Sequence, residues 1–238
     1  MLHNFTHLFV QNEESKRLLA TIGINQVTVV GDTRFDRVMQ IRQAAKDLPL
    51  VEAFKGDSLT LVAGSSWQPD EDLFIPYFNE HPDLKLIIAP HVIGEDHLQE
   101  IMGKLKRPYV RYTEADEANV RQADCLIIDC FGLLSSIYRY GEMAYIGGGF
   151  GVGIHNTVEA AVYGIPVIFG PKYHKFMEAS QLIGEQGGFT IGSDEELCAL
   201  LDRFRTDKDY LAVSGAHAGH YVKSRAGASA LILQALFG

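Results

Sequence analysis

The stretch MAYIGGGFGVGIHNTVEAAVYGIPVIFG, from Met143 to Gly170, decides how this chain is read. MAYIGG is an apolar run of strand length, TVEAAVYG has helical character, and PVIFG is a second strand. Strand, helix and strand in succession form a βαβ unit, whose two strands lie parallel in one sheet. Between the first strand and the helix runs Gly147-Gly148-Gly149-Phe150-Gly151-Val152-Gly153, five glycines in seven residues. Lacking Cβ atoms, such a backbone can approach a ligand closely and adopt positive φ. The helix behind it offers N–H groups and a positive dipole end. Together these predict an anion site, most naturally for a phosphate, built on Gly148, Gly149, Phe150, Gly151 and Gly153. Asn156 falls at the N-cap or first turn of the helix. Glu159, three residues later, either completes a capping arrangement or accepts hydrogen bonds from ribose hydroxyls. The glycines fit G-x-G-x-x-G in no register and G-x-x-x-x-G-K-[ST] is absent, which excludes a dinucleotide fingerprint and a P-loop.

The same alternation extends in both directions. THLFVQ, QVTVVG, SLTLVAGS, DLKLIIAP, YVRY, CLIID and GFTI read as strands. NEESKRLLATIG, TRFDRVMQIRQAAKDL, PDEDLFIPYFNEH, GEDHLQEIMGKLK, LLSSIYRYG, KFMEASQLIGEQGG and SDEELCALLDRFRTD read as helices, several with acidic first turns or a Ser cap. Asp47 to Asp57 reads as a loop or linker between an initial βαβα piece and the main sheet. A last helical stretch from about Lys208 to the C-terminus is expected to break near Ser214 to His217. The predicted architecture is α/β, a Rossmann-like doubly wound parallel sheet, with residues 1–238 forming one nucleotide-binding domain. Ligands of such sheets bind beyond the carboxyl ends of the strands.

Four further strand-to-helix turns could carry chemistry. Ala63-Gly64-Ser65-Ser66-Trp67 offers hydroxyls and N–H groups for a phosphate or carboxylate; Trp67, the one tryptophan, either faces a sugar or base or fills the core. His91 follows the strand DLKLII and could donate to a phosphate or lie on the surface. Gly132 permits close backbone approach after CLIID. Lys172 and Lys175, after PVIFG, would attract an anion or form an ordinary surface charge pair.

The chain has 238 residues, 47% of them apolar and 21% charged, with a formal net charge of −9. That suits a soluble globular domain with a real core and argues against nucleic acid as a partner, because phosphate neutralisation needs clustered Lys and Arg. Three cysteines, Cys125, Cys130 and Cys198, give no disulfide framework, and they read as small packed residues rather than metal ligands. His217 and His220 read as a solvated helix end rather than a metal site. The first residues lack a basic segment followed by an apolar one, so they do not read as a signal peptide. They resemble a chain met midway.

YIGGGFGVGIHNTVEAAVYGIPVIFGPKYHKFMEASQLIGEQGGF resembles the donor-binding signature of 3-deoxy-D-manno-octulosonic acid (Kdo) transferases. The family pattern is a glycine pair or triplet, then G-x-H-N-x-x-E, G-x-P-V-x-x-G-P and N-F or K-F. Gly148, Gly149, Gly153, His155, Asn156, Glu159, Gly164, Pro166, Val167, Gly170, Pro171 and Phe176 stand at those places. Upstream, VVGDTRFD resembles G-N-x-K-x-D with Arg34 in the lysine place, and AGSSW resembles G-S-T-W. IIAPH resembles P-R-H with His91 replacing arginine, and IIDCFGLLSSIY resembles D-T-x-G-E-L-x-x-x-Y with Leu133 in the glutamate place.

The resemblance covers nearly the whole chain, in order. It implies the C-terminal, CMP-Kdo-binding domain of a two-domain GT-B glycosyltransferase that transfers Kdo from CMP-Kdo to a lipid A precursor in lipopolysaccharide biosynthesis. It implies inverting, metal-independent chemistry without a cofactor, at the cytoplasmic face of a bacterial inner membrane. The implied donor contacts are Ser65, Ser66, His91, Gly132, Gly148, Gly149, Phe150, Gly151, Gly153, His155, Asn156 and Glu159, with Arg34, Trp67, Lys172 and Lys175 as further candidates. The catalytic base, acceptor site and membrane contact are expected in an N-terminal domain outside this sequence, so the chain alone is expected to bind the donor without turnover. The C-terminal helix, about 208–238, is expected to pack against that domain. The alternatives are another GT-B enzyme, such as a UDP-sugar transferase or epimerase, and a non-catalytic nucleotide-binding module.

Overall fold

A computed structural model describes all residues 1–238. The chain opens with β1 (Leu8–Val10), α1 (Glu13–Thr21), β2 (Val27–Val29), α2 (Thr33–Gln43) and α3 (Pro49–Lys55). Then come β3 (Leu59–Ser66), α4 (Gln68–Glu80), β4 (Leu84–Pro90), α5 (Glu95–Lys104), β5 (Tyr109–Arg111), α6 (Glu117–Gln122) and β6 (Cys125–Ile127). The second half holds α7 (Leu134–Ile137), β7 (Met143–Ile146), α8 (Val158–Ala161), β8 (Val167–Phe169), α9 (Met177–Gly184), β9 (Gly188–Thr190), α10 (Asp194–Thr206), α11 (Lys208–Arg225) and α12 (Ala228–Phe237). No helix is long and apolar enough to cross a membrane.

Seven strands form one all-parallel sheet in the order β5-β6-β4-β3-β7-β8-β9, while β1 and β2 pair in a separate parallel two-stranded sheet. Alternate residues of each central strand serve opposite faces, as the period of a strand requires. Leu61, Ala63, Leu86, Ile88, Met143 and Tyr145 join one core with Phe74, Phe78, Leu197 and Phe204. Val62, Ile87, Leu126, Ala144 and Val167 join the other with Val51, Phe54, Tyr138 and Tyr221. Both faces are covered, which is why the strands read as continuous apolar runs. From β3 the chain passes to β4 and on to the edge strand β5, comes back to β6 between them, then crosses to β7 on the other flank of β3. The direction of winding therefore reverses between β3 and β7, and a crevice opens above their carboxyl ends.

Four local expectations are corrected. Residues 49–55 form α3, not a linker, because Val51 and Phe54 bury completely beneath the sheet. The six-residue helix α6 has no counterpart in the sequence reading; its Asp116 cap accepts from Ala118 N and Asn119 N. TVEAAVYG gives only the single turn α8 before Gly164 turns the chain at φ +76°. The C-terminal stretch does not break near Ser214 to His217. α11 is continuous there, because Gly215 and its small neighbours let it approach Gly164, whose carbonyl a Cβ at 215 would strike. The break falls instead at Gly227, φ +124°.

Candidate functional site

The crevice is shaped first by β3. A register shift between Gly64 and Ser66 forms a bulge, with Ser65 held at φ +54°. Tyr138 Oη lies against Gly64 and the Ser65 carbonyl against Gly147, so neither glycine could carry a side chain without displacing its neighbour. The bulge turns Ser65 toward the crevice and Ser66 inward. Ser66 is fully buried and its hydroxyl donates to Glu71 Oε1 at 2.9 Å. The expectation that Ser66 offers its side chain to a ligand is thereby overturned: the bulge flips it to the core side.

The glycine loop is more self-contained than its composition implies. Gly148 N–H donates to Asp70 Oδ2 at 2.9 Å, and Gly151 N and Gly153 N both donate to the Gly148 carbonyl. His155 N returns to Gly147 O, and Lys172 N to Gly149 O. A Cβ on Gly149 would meet the Gly170 backbone at 2.6 Å, and one on Gly153 would press on Phe176. Gly148 thus gives its amide to Asp70 of α4, and Gly151 and Gly153 give theirs to the loop itself, contrary to their expected role as donors. Among the loop amides, Gly149, Phe150, Val152, Ile154, Asn156 and Thr157 donate to no group of the chain. Thr157 is the N-cap of α8; Asn156 accepts weakly from Val158 N at 3.3 Å and donates to Glu159 Oε1 at 2.9 Å. With α8 only one turn long, the helix-end field behind the loop is smaller than the sequence suggests.

Ser65, Pro90, His91, Gly132 and Phe131 line a cavity of about 240 Å³ above β3, β4 and β6. Beside it, His91 stacks on Trp67 with centroids 4.6 Å apart and on His155 at the same spacing. Trp67 Nε1 donates to His155 Nε2 at 3.3 Å, and the His91 backbone N–H donates to the Ser66 carbonyl. The rings bind the ends of β3 and β4 to the glycine loop. Burial and the neighbouring His91 hold the His155 imidazole below its usual pKa, with Asp70 opposing.

The remaining candidates lie apart or are engaged. Arg34 grips Asp32 and Glu178 at 2.8 and 2.9 Å, and these carboxylates push its already high pKa further up. Lys172 reaches back to the Gly151 carbonyl at 2.7 Å, while Lys175 stands exposed. Two cavities more than twice as large lie elsewhere. One, of about 540 Å³, separates α12 from the turn before α2; the other, of about 710 Å³, runs along β9, α10 and α11. Neither touches the β3–β7 crevice, whose strand ends hold most of the candidate residues, so the crevice is taken as the site.

Sequence reasoning missed the carboxylates beneath the site. Asp70, 1% exposed, accepts from Gly148 N, from Trp67 N at 3.0 Å and from Tyr145 Oη at 2.9 Å. Glu71, fully buried, accepts from Ser66 and from His97 Nε2 at 2.9 Å. Burial pushes its pKa up, with His97 opposing. In sequence the pair looks like any acidic helix start, and only its contacts distinguish it.

No family model matches the chain. It is 29% identical over 215 residues to a 3-deoxy-D-manno-octulosonic acid transferase of Aquifex aeolicus, covering 88% of this chain and 56% of the relative. A bifunctional glycosyltransferase/methyltransferase of Fusobacterium nucleatum is 24% identical over 221 residues, 88% of this chain and 34% of that protein. The chain spans about half the length of the former and a third of the latter. Among solved structures, the C-terminal CMP-Kdo binding domain of WaaA from Acinetobacter baumannii superposes with a TM-score of 0.63 at 20% identity, over 80% of this chain and 98% of that domain. A UDP-GlcNAc 2-epimerase of Neisseria meningitidis gives 0.67 at 16% identity, over 96% of this chain and 60% of that enzyme. The chain is a relative of the 3-deoxy-D-manno-octulosonic acid transferases, and it has the fold of the C-terminal domain of a GT-B glycosyltransferase.

Proposed function

We propose that this chain is the donor-binding domain of a Kdo transferase and holds CMP-Kdo above the carboxyl ends of β3, β4, β6 and β7. The observation that carries the reading is that Ser65, His91 and Gly132 line one cavity, and that His91 stacks on His155 at the end of the glycine loop, at the point where the winding reverses. In the transfer, an acceptor hydroxyl attacks the anomeric carbon of Kdo and CMP departs with the bonding electrons. The departing phosphate needs hydrogen-bond donors in place beforehand. Gly149, Phe150 and Val152 N–H, the Ser65 hydroxyl and His91 supply them. Asn156 and Glu159 take the ribose side. Nothing in this crevice is assigned as the base that deprotonates the acceptor. That group, the lipid A precursor site and the contact with the cytoplasmic face of the inner membrane belong to the other half of the enzyme. The exposed apolar side chains of α12 (Leu233, Leu236, Phe237) pack there. In this reading the chain alone binds the donor without turnover, and neither cofactor nor metal takes part.

Calorimetric titration with CMP tests the proposal. Binding to the native chain, lost in Asn156→Ala, is the expected result; an unchanged affinity in the variant rejects the site. A second reading, a UDP-sugar enzyme, draws on the slightly higher TM-score to the epimerase. Competition of UDP against CMP separates the two.

A further inference from the structure

The indole N–H has no lone pair to offer and can only donate. Its partner 3.3 Å away, His155 Nε2, must therefore accept, and a ring nitrogen that accepts carries no proton. A neutral imidazole accepting at Nε2 has its proton on Nδ1. A doubly protonated ring would set Nε2–H against Nε1–H. His91 lies over both rings, 28° from the plane of His155 and 27° from that of Trp67, so a charge on one imidazole opposes a charge on the other. The ionisable groups acting on His155 are His91, from the end of β4, and Asp70, from α4 beneath the loop. Asp70 is already engaged by three donors. His91 is exposed and makes no side-chain hydrogen bond within the chain.

We propose that Trp67 is a positioning residue that holds His155 as the neutral Nδ1–H tautomer, so that His155 presents a fixed, uncharged donor beside the glycine loop. That this donor meets an anion in the crevice rests on the site reading given above; the tautomer itself does not.

Long-range proton–nitrogen spectra of the histidine-labelled chain, without ligand, test the proposal. The expected result is His155 protonated at Nδ1 alone and uncharged across the range where ordinary histidines titrate. A proton on Nε2, or normal titration of His155, overturns it. Trp67→Phe keeps an aromatic face under His91 but removes the donor. His155 should then become a tautomer mixture and titrate at higher pH, with CMP affinity falling roughly five- to tenfold. A variant whose His155 keeps a single Nδ1–H form refutes the role of Trp67.

CMP that does not bind the native chain at all removes the affinity readout together with the site reading, and leaves the tautomer result standing.

Discussion

Asp70 offers the sharpest test of how the crevice is held in shape. Its carboxylate fixes the N-cap residue of α4, the glycine loop and Tyr145 at once, through Trp67 N, Gly148 N and Tyr145 Oη. In Asp70→Ala all three donors lose their acceptor. Gly148 and Tyr145 are buried, and each stranded buried donor costs about 1–3 kcal/mol, so the pair gives about 2–6 kcal/mol. That is a large part of the about 5–15 kcal/mol that holds a domain folded. Asp70→Asn behaves differently. One amide oxygen can accept from both backbone N–H groups, and the amide NH₂ can donate to Tyr145 Oη, because a phenol both donates and accepts. Only the charge assistance is lost, about 1 kcal/mol. Equilibrium urea unfolding, with m-values compared, measures both. An alanine variant within about 1 kcal/mol of the native chain, or an asparagine variant as damaged as alanine, would refute the reasoning.

Ser66→Ala should lower stability by about 1–2 kcal/mol by stripping Glu71 of one donor, with CMP affinity unchanged. Weaker CMP binding would return Ser66 to the site. Asp36 accepts from Gly227 N and Ser229 N and so caps α12. Asp36→Ala should abolish amide-exchange protection in α12 while shifting global unfolding by no more than about 1 kcal/mol. Unaltered protection would show that packing, not the cap, holds that helix. Burial depresses the His155 pKa, so the unfolded chain binds the extra proton more readily than the folded one. Its contribution to stability is complete above the ordinary histidine pKa and declines as pH falls through it toward the lower folded value. A His155→Gln variant should be less sensitive to mild acid in that window, and equal pH slopes for the two proteins would contradict the assignment.

The α/β class was legible because alternating apolar runs and amphipathic stretches are local signals: β3, β4 and β7 bury on both faces and read as mostly apolar runs. Helix starts such as Ser193, whose hydroxyl accepts from Glu196 N, were legible for the same reason. What failed depended on partners distant in sequence. Gly149 looks like a ligand glycine but stands against Gly170, and Gly215 looks like a helix breaker but lies against Gly164. A glycine's chemistry is its permission for something to come close, and the sequence does not say what comes.

By itself, then, the sequence determined the succession of strands and helices and the turns where a ligand could sit, since both follow from residues within a few positions of one another. Only the tertiary structure decided which donors those turns keep for themselves. Asp70 lies 78 positions from Gly148 and Trp67 lies 88 from His155. A hydrogen bond between such residues exists only once the sheet has brought the ends of β3 and β7 side by side.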